Sequence, residues 1–140
     1  MTSQKNTLIF VFGTLKRGYR ANDKLKDQPF LGSAITIPRY KMFDVGFPMI
    51  FKNVTGHQVK GEVYLVSPGC LSDMDYYEGY PSFYQREEID VTLLDPVAGG
   101  PDERKQMMRS LIYYNKDSDY DEYMDRNRVQ PDSDGSLCWG

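Results

Sequence analysis

Val59-Lys60-Gly61-Glu62-Val63-Tyr64-Leu65-Val66 runs directly into Ser67-Pro68-Gly69-Cys70-Leu71-Ser72-Asp73-Met74-Asp75-Tyr76-Tyr77-Glu78-Gly79-Tyr80-Pro81. The first eight residues alternate as a strand, with Val59, Gly61, Val63 and Leu65 on one face. Gly61 in its middle marks a bulge or a close backbone approach. Ser67 is a good N-cap and Pro68 suits the first helical position. Gly79 suits the position just past the last turn, and Pro81 stops the helix. The spacing therefore predicts a helix over Pro68–Glu78.

The inward face of that helix reads Leu71, Met74 and residue 78, which is Glu. A carboxylate on an apolar face, at the negative end of the helix dipole, is held against its charged form twice over. A stability argument alone places Lys, Arg or Leu there. A carboxyl with a raised pKa is what general acid/base chemistry needs near neutral pH. Two structural readings stand beside the chemical one. Glu78 caps a buried amide or pairs with an arginine such as Arg86, or a small rotation exposes it and buries Tyr77 instead.

Working outward, Leu8–Phe12 is apolar at every position and reads as a central strand covered on both faces. A loop from Gly13 to Gly18 follows, then a short helix over Asn22–Asp27. Residues 31–51 hold strand-like pieces cut by Pro38, Gly46 and Pro48. Glu87–Leu94 alternates, with Ile89, Val91 and Leu93 on one side. Residues 95–106 form a charged Pro/Gly loop, and Met107–Asn115 is a last strand. In it Tyr113 and Tyr114 face opposite sides. Short strands with one or two short helices predict an α+β fold, a small mixed, mostly antiparallel barrel. The domain is expected to span residues 1–116. From 117 the chain turns acidic and is expected to be a mobile or loosely packed tail, with one loose turn around Tyr120–Arg126.

The 140 residues carry 17 Lys/Arg against 20 Asp/Glu, a net charge of −3. No basic footprint for nucleic acid is present overall. The charge is uneven: residues 1–30 carry an excess of Lys/Arg, and residues 117–140 an excess of Asp/Glu. A chain of this length buries roughly two-thirds of its unfolded surface, so it requires no metal or disulfide staple. No apolar run is long enough for a membrane helix, and none precedes the first strand as a secretory signal. Cys70, Cys138 and His57 share no metal-site spacing, so two unpaired thiols and a cytoplasmic placement are expected.

Three motifs are decoys. Gly13-x4-Gly18 imitates half of a phosphate loop, but Tyr19 and Arg20 stand where Lys and Ser/Thr are needed. Its consecutive amides can still converge on an anion or carboxylate. Asp117-x-Asp119-x-Asp121 begins like a calcium loop, but Glu122 and Arg128 occupy the positions of its Gly and Glu. His57 is expected to be an exposed loop residue. Tyr76, Tyr77, Tyr80 and Tyr84 gather around Glu78 and can line a pocket or a half-buried rim.

Taken together, four segments in order resemble the gamma-glutamylcyclotransferase-like superfamily, in particular its small bacterial and gamma-glutamylamine-cyclotransferase-type branch. They are Phe10-Val11-Phe12-Gly13-Thr14-Leu15-Lys16-Arg17-Gly18 with Asn22, Gly46-Phe47-Pro48, Val59-Lys60-Gly61-Glu62-Val63-Tyr64, and Asp75-Tyr76-Tyr77-Glu78-Gly79-Tyr80 with Tyr84 and Arg86. The resemblance covers about residues 7–116. It implies a small mixed barrel with a cavity and a small-molecule gamma-glutamyl substrate, needing no metal or organic cofactor. In it Glu78 is the catalytic acid/base, and Phe12, Gly13, Thr14, Leu15 and Tyr84 bind substrate. Phe12 stands where the family motif has Tyr, so a hydroxyl contact is lost there. The implied reaction releases 5-oxoproline and a free amine. The alternatives are a binding module that holds a small ligand in the same cavity without turnover, and an interaction protein docking through its acidic tail.

Overall fold

A computed structural model describes residues 5–52, 56–94, 107–115 and 125–139. The expected loop at 95–106 and the acidic run 117–121 lie outside the described residues. Seven strands and one α-helix are described: β1 (Thr7–Val11), β2 (Phe30–Thr36), β3 (Tyr40–Asp44), β4 (Pro48–Lys52), β5 (Lys60–Val66), α1 (Pro68–Glu78), β6 (Tyr84–Leu93) and β7 (Met107–Asn115). Single 3₁₀ turns occupy Asn22–Leu25, inside the expected Asn22–Asp27 helix, and Asp125–Asn127. No described helix is long and apolar enough to cross a membrane.

Five strands close into a barrel in the order β1-β5-β2-β6-β7. An odd ring cannot be antiparallel throughout, and the one parallel pairing joins β7 to β1. The other four pairings are antiparallel. This is the mixed, mostly antiparallel barrel expected from the strand pattern. β3 and β4 form a separate hairpin. Asn115 fastens it to the barrel by accepting the Ile50 amide at 3.0 Å.

Burial on both faces explains why Leu8–Phe12, the greater part of β1 and the residue after it, is apolar throughout. Phe10 and Phe12 pack inside with Val63, Ile89, Val91 and Ile112. Ile9 and Val11 pack outside, against Cys70 and Met74 of α1. Tyr113 and Tyr114 fall on opposite sides of β7, as their adjacency requires. Gly61 lies where β5 crosses β1: a Cβ there would sit 2.3 Å from the Val11 carbonyl oxygen and 2.6 Å from the Phe10 ring. Close approach, not a bulge, is its reason. The register shift lies across the sheet, at Phe30/Gly32 of β2.

Two further expectations need correction. The described part of the C-terminal segment is packed, not loose. Leu137 is 1% exposed in the main core. Its amide donates to the Gln58 carbonyl at 2.7 Å, and its own carbonyl accepts from Lys60 at 2.8 Å. Lys60 also pairs with Asp134 at 2.6 Å, and this pair, with hydrogen bonds from Ser136, holds the Asp134 carboxyl well below the usual range. A mainly polar composition concealed one aliphatic anchor flanked by backbone pairing. His57 is likewise half-buried rather than exposed: it bridges Tyr40 through both backbone groups, and its Nδ1 lies 3.2 Å from the Gly135 carbonyl.

Candidate active site

α1 begins and ends as its capping residues dictate. The Ser67 hydroxyl accepts from the Cys70 amide at 3.1 Å, and Gly79 takes the left-handed conformation with φ 69°. Met74 is fully buried and Cys70 nearly so, while Leu71 is half-buried. The inward stripe is therefore Cys70 and Met74, one residue rotated from Leu71. The last turn contains no basic residue.

Glu78 ends this helix and lines a cavity of about 250 Å³. Burial raises its carboxyl to about 7. Among the described residues no cation stands within ion-pair distance of it. Arg86, a partner considered from sequence, is committed elsewhere. Its Nε and Nη2 donate to both oxygens of Asp75 at 2.9 and 3.1 Å. Tyr113 donates to the same carboxylate at 2.7 Å. One helical turn thus carries two carboxyls with opposite environments, Asp75 satisfied and Glu78 without a counter-charge.

The loop after β1 lines the same cavity as this helix end. Phe12, Gly13, Thr14 and Leu15 all line the cavity, and so does Tyr84. Together with Glu78 these are the residues singled out from the sequence, and they share one cavity. The loop is folded on itself: Lys16 donates its amide to the Gly13 carbonyl at 3.0 Å and Ala21 to the Thr14 carbonyl at 2.9 Å. The amides of Gly13, Thr14 and Leu15 find no acceptor among the described residues, although all three residues are buried. Buried amides left without partners at a cavity wall are prepared to receive an acceptor from a ligand.

Gly13 serves packing rather than a turn. Gly18, not Gly13, has the left-handed φ of 88°. A Cβ on Gly13 would sit 2.5 Å from the Pro48 ring. Pro48 is also the point where Tyr84 is tied down, its hydroxyl donating to the Pro48 carbonyl at 2.7 Å. Burial keeps that phenol firmly protonated.

The β5 motif shapes the loop from behind. Glu62 accepts the Arg17 amide at 2.8 Å. Asn22 donates to the Leu15 carbonyl at 2.8 Å and to the Tyr64 hydroxyl at 3.0 Å. A 2.8 Å hydrogen bond between Thr14 Oγ1 and the Tyr77 hydroxyl joins the loop to α1 one residue before Glu78. Tyr76, by contrast, is 91% exposed and points away, and Tyr80 lies beneath the Arg86 guanidinium.

Sequence reasoning did not place Arg20, Phe47, Pro48, Phe83 or Tyr113 in the cavity wall, where the structure puts them. Gly46-Phe47-Pro48 stood out only as a resemblance. Arg20 and Phe83 follow no periodicity that marks a lining residue.

A closed five-stranded barrel whose cavity holds a carboxyl and a run of loop amides, both without partners among the described residues, is the geometry of a site for a small polar molecule. Comparison with known proteins gives this class its family. Residues 9–134 match the family model "Gamma-glutamyl cyclotransferase, AIG2-like", and the chain belongs to that family. A putative gamma-glutamylcyclotransferase of Vibrio cholerae is 40% identical over 85 residues, 59% of this chain and 71% of that protein. The gamma-glutamylaminecyclotransferase of Rattus norvegicus is 36% identical over 108 residues, 70% of this chain and 72% of that protein. The crystal structure of an AIG2-like protein from Mus musculus superposes with a TM-score of 0.68 at 27% identity, covering 80% of this chain and 78% of that one.

Proposed function

We propose that this protein is a cyclotransferase that converts a gamma-glutamyl amine or amino acid into 5-oxoproline and a free amine. The observation that carries the reading is Glu78, a carboxyl raised to about 7 by burial and without an ion-pair partner among the described residues, lining one cavity with the Gly13–Leu15 loop, whose amides have no acceptor among them. The family and the names of its members support the same chemistry.

A carboxyl with this pKa populates both protonation states at neutral pH. Ionised Glu78 accepts a proton from the substrate's alpha-ammonium. The freed nitrogen attacks the gamma-carbonyl carbon of the same molecule and closes a five-membered ring. The carbonyl oxygen becomes an oxyanion, which a loop amide stabilises. Collapse re-forms the carbonyl and breaks the bond to the leaving nitrogen, which takes the proton back from Glu78; the ring nitrogen's second proton then passes by way of Glu78 to the departing amine, which leaves as an ammonium. No water is consumed, and the enzyme ends as it began. Holding an internal nucleophile in place supplies a large share of the acceleration. Proton transfer contributes about 10²–10⁴-fold, and one oxyanion donor about 10²–10³-fold. Every step is carried by this chain's own groups.

In this reading Phe12, Gly13, Thr14, Leu15 and Tyr84 bind the glutamyl part. The two free thiols, Cys70 and Cys138, fit a reducing compartment, and a cytoplasmic placement is part of the proposal. The test is 5-oxoproline release from gamma-glutamyl amines, gamma-glutamyl amino acids and glutathione. Product from at least one of them is expected. Stoichiometric binding without product would replace the enzyme with a binding module.

A further inference from the structure

The loop from Lys16 to Arg20 carries three cations, and the structure treats them differently. Lys16 is buried and donates to the Trp139 carbonyl at 2.6 Å. The Arg17 guanidinium lies over the Phe30 ring, 4.6 Å from its centroid. Arg20 lines the cavity, is exposed, and has no ion pair, hydrogen bond or ring contact among the described residues. It is the cationic side chain of the described cavity wall, which is otherwise apolar, aromatic or neutral apart from Glu78.

Position separates the two ends of the cavity. Thr14 and Leu15 are 8% and 4% exposed, so their amides mark the inner end. Arg20 and Phe83 are exposed and mark the mouth. Under the proposed cyclisation, on which this inference rests, the glutamyl part lies inward against the loop and Glu78. The departing amine then lies toward solvent, within the field of Arg20. A guanidinium recognises a carboxylate through paired, charge-assisted hydrogen bonds, and a neutral alkyl amine offers it nothing.

We infer that Arg20 is a specificity-determining residue that selects gamma-glutamyl substrates whose leaving amine carries a carboxylate, as an amino acid or a peptide does. The discrimination expected of an exposed but otherwise unengaged guanidinium is about tenfold.

The matched pair gamma-glutamylalanine and gamma-glutamylethylamine isolates the point, because the two leaving amines differ only by that carboxylate. The readout is kcat/KM from 5-oxoproline release, for wild type, Arg20→Gln and Arg20→Lys. Wild type is expected to favour gamma-glutamylalanine about tenfold. Arg20→Gln is expected to bring the ratio near one, and Arg20→Lys to keep part of it. The wild-type ratio should also shrink as salt is raised, since the pair sits in solvent. An equal loss on both substrates, or a ratio that Arg20→Gln leaves unchanged, overturns the inference while the cyclotransferase reading stands. No 5-oxoproline from any gamma-glutamyl substrate overturns both.

Discussion

Glu78 is a costly residue for the fold that holds it. Its carboxyl is raised from an ordinary value near 4.5 to about 7 by burial. Below the unfolded value the group is protonated in both states and carries no penalty. Between 4.5 and 7 the unfolded chain loses its proton first, so stability falls as pH rises. Above 7 the full penalty is present, at most about 3 kcal/mol. Glu78→Gln removes it. The variant is expected to melt several degrees above wild type at pH 8 and close to wild type at pH 5, as read by thermal melts in the two buffers. A variant less stable than wild type at pH 8 would mean that the folded protein satisfies the ionised carboxylate. A residue whose neutralisation stabilises the protein is retained for what it does. The sequence made Glu78 conspicuous because no stability argument puts Glu at that position. It did not disclose Arg20, whose place in the wall depends on how the loop folds back across the barrel.

At the scale of elements, β5 and α1 work as one unit around the loop after β1. α1 was legible to the residue, since its start and stop are written in local chemistry: Ser67, Pro68 and Gly79 act within one turn of themselves. β6 was less legible. It begins at Tyr84, three residues before the alternation becomes visible, because its first residues face α1 and the hairpin rather than the barrel interior. Gly61 tests how closely β5 must approach β1. Gly61→Ala would place a methyl against a backbone carbonyl that cannot rotate away. It is expected to cost roughly 1–3 kcal/mol and to disturb the loop that β5 supports. Gly69→Ala is the control. Nothing lies within 4 Å of its Cβ position in the first turn of α1. That change is expected to stabilise by roughly 0.5–1 kcal/mol. Denaturant unfolding of the two variants checks both signs, and a neutral Gly61→Ala would contradict the close-contact reading.

At the scale of the whole molecule, the C-terminal segment packs onto the already closed barrel. Leu137 fills the main core, and the Trp139 carbonyl caps the buried Lys16 ammonium of the loop after β1. Its register, one chain end laid between Val59 and the loop, is a long-range arrangement that no local pattern encodes. A polar composition therefore read as a tail. Leu137→Ala is expected to cost roughly 2–5 kcal/mol, a fall in Tm of roughly 5–15 °C. A change within 1 °C would return the segment to the status of a loose appendage. The barrel's closure, by contrast, was legible, because strand count and alternation constrain topology even where boundaries slip by a few residues.

The most direct test of the central claim is 5-oxoproline release by wild type and Glu78→Gln side by side, on a gamma-glutamyl amine and a gamma-glutamyl amino acid, with both proteins shown to be folded. Wild type is expected to form product. Loss of proton transfer is expected to lower turnover in Glu78→Gln by at least about 10²-fold. Turnover by Glu78→Gln within a few-fold of wild type would contradict the assignment of Glu78 as the proton carrier.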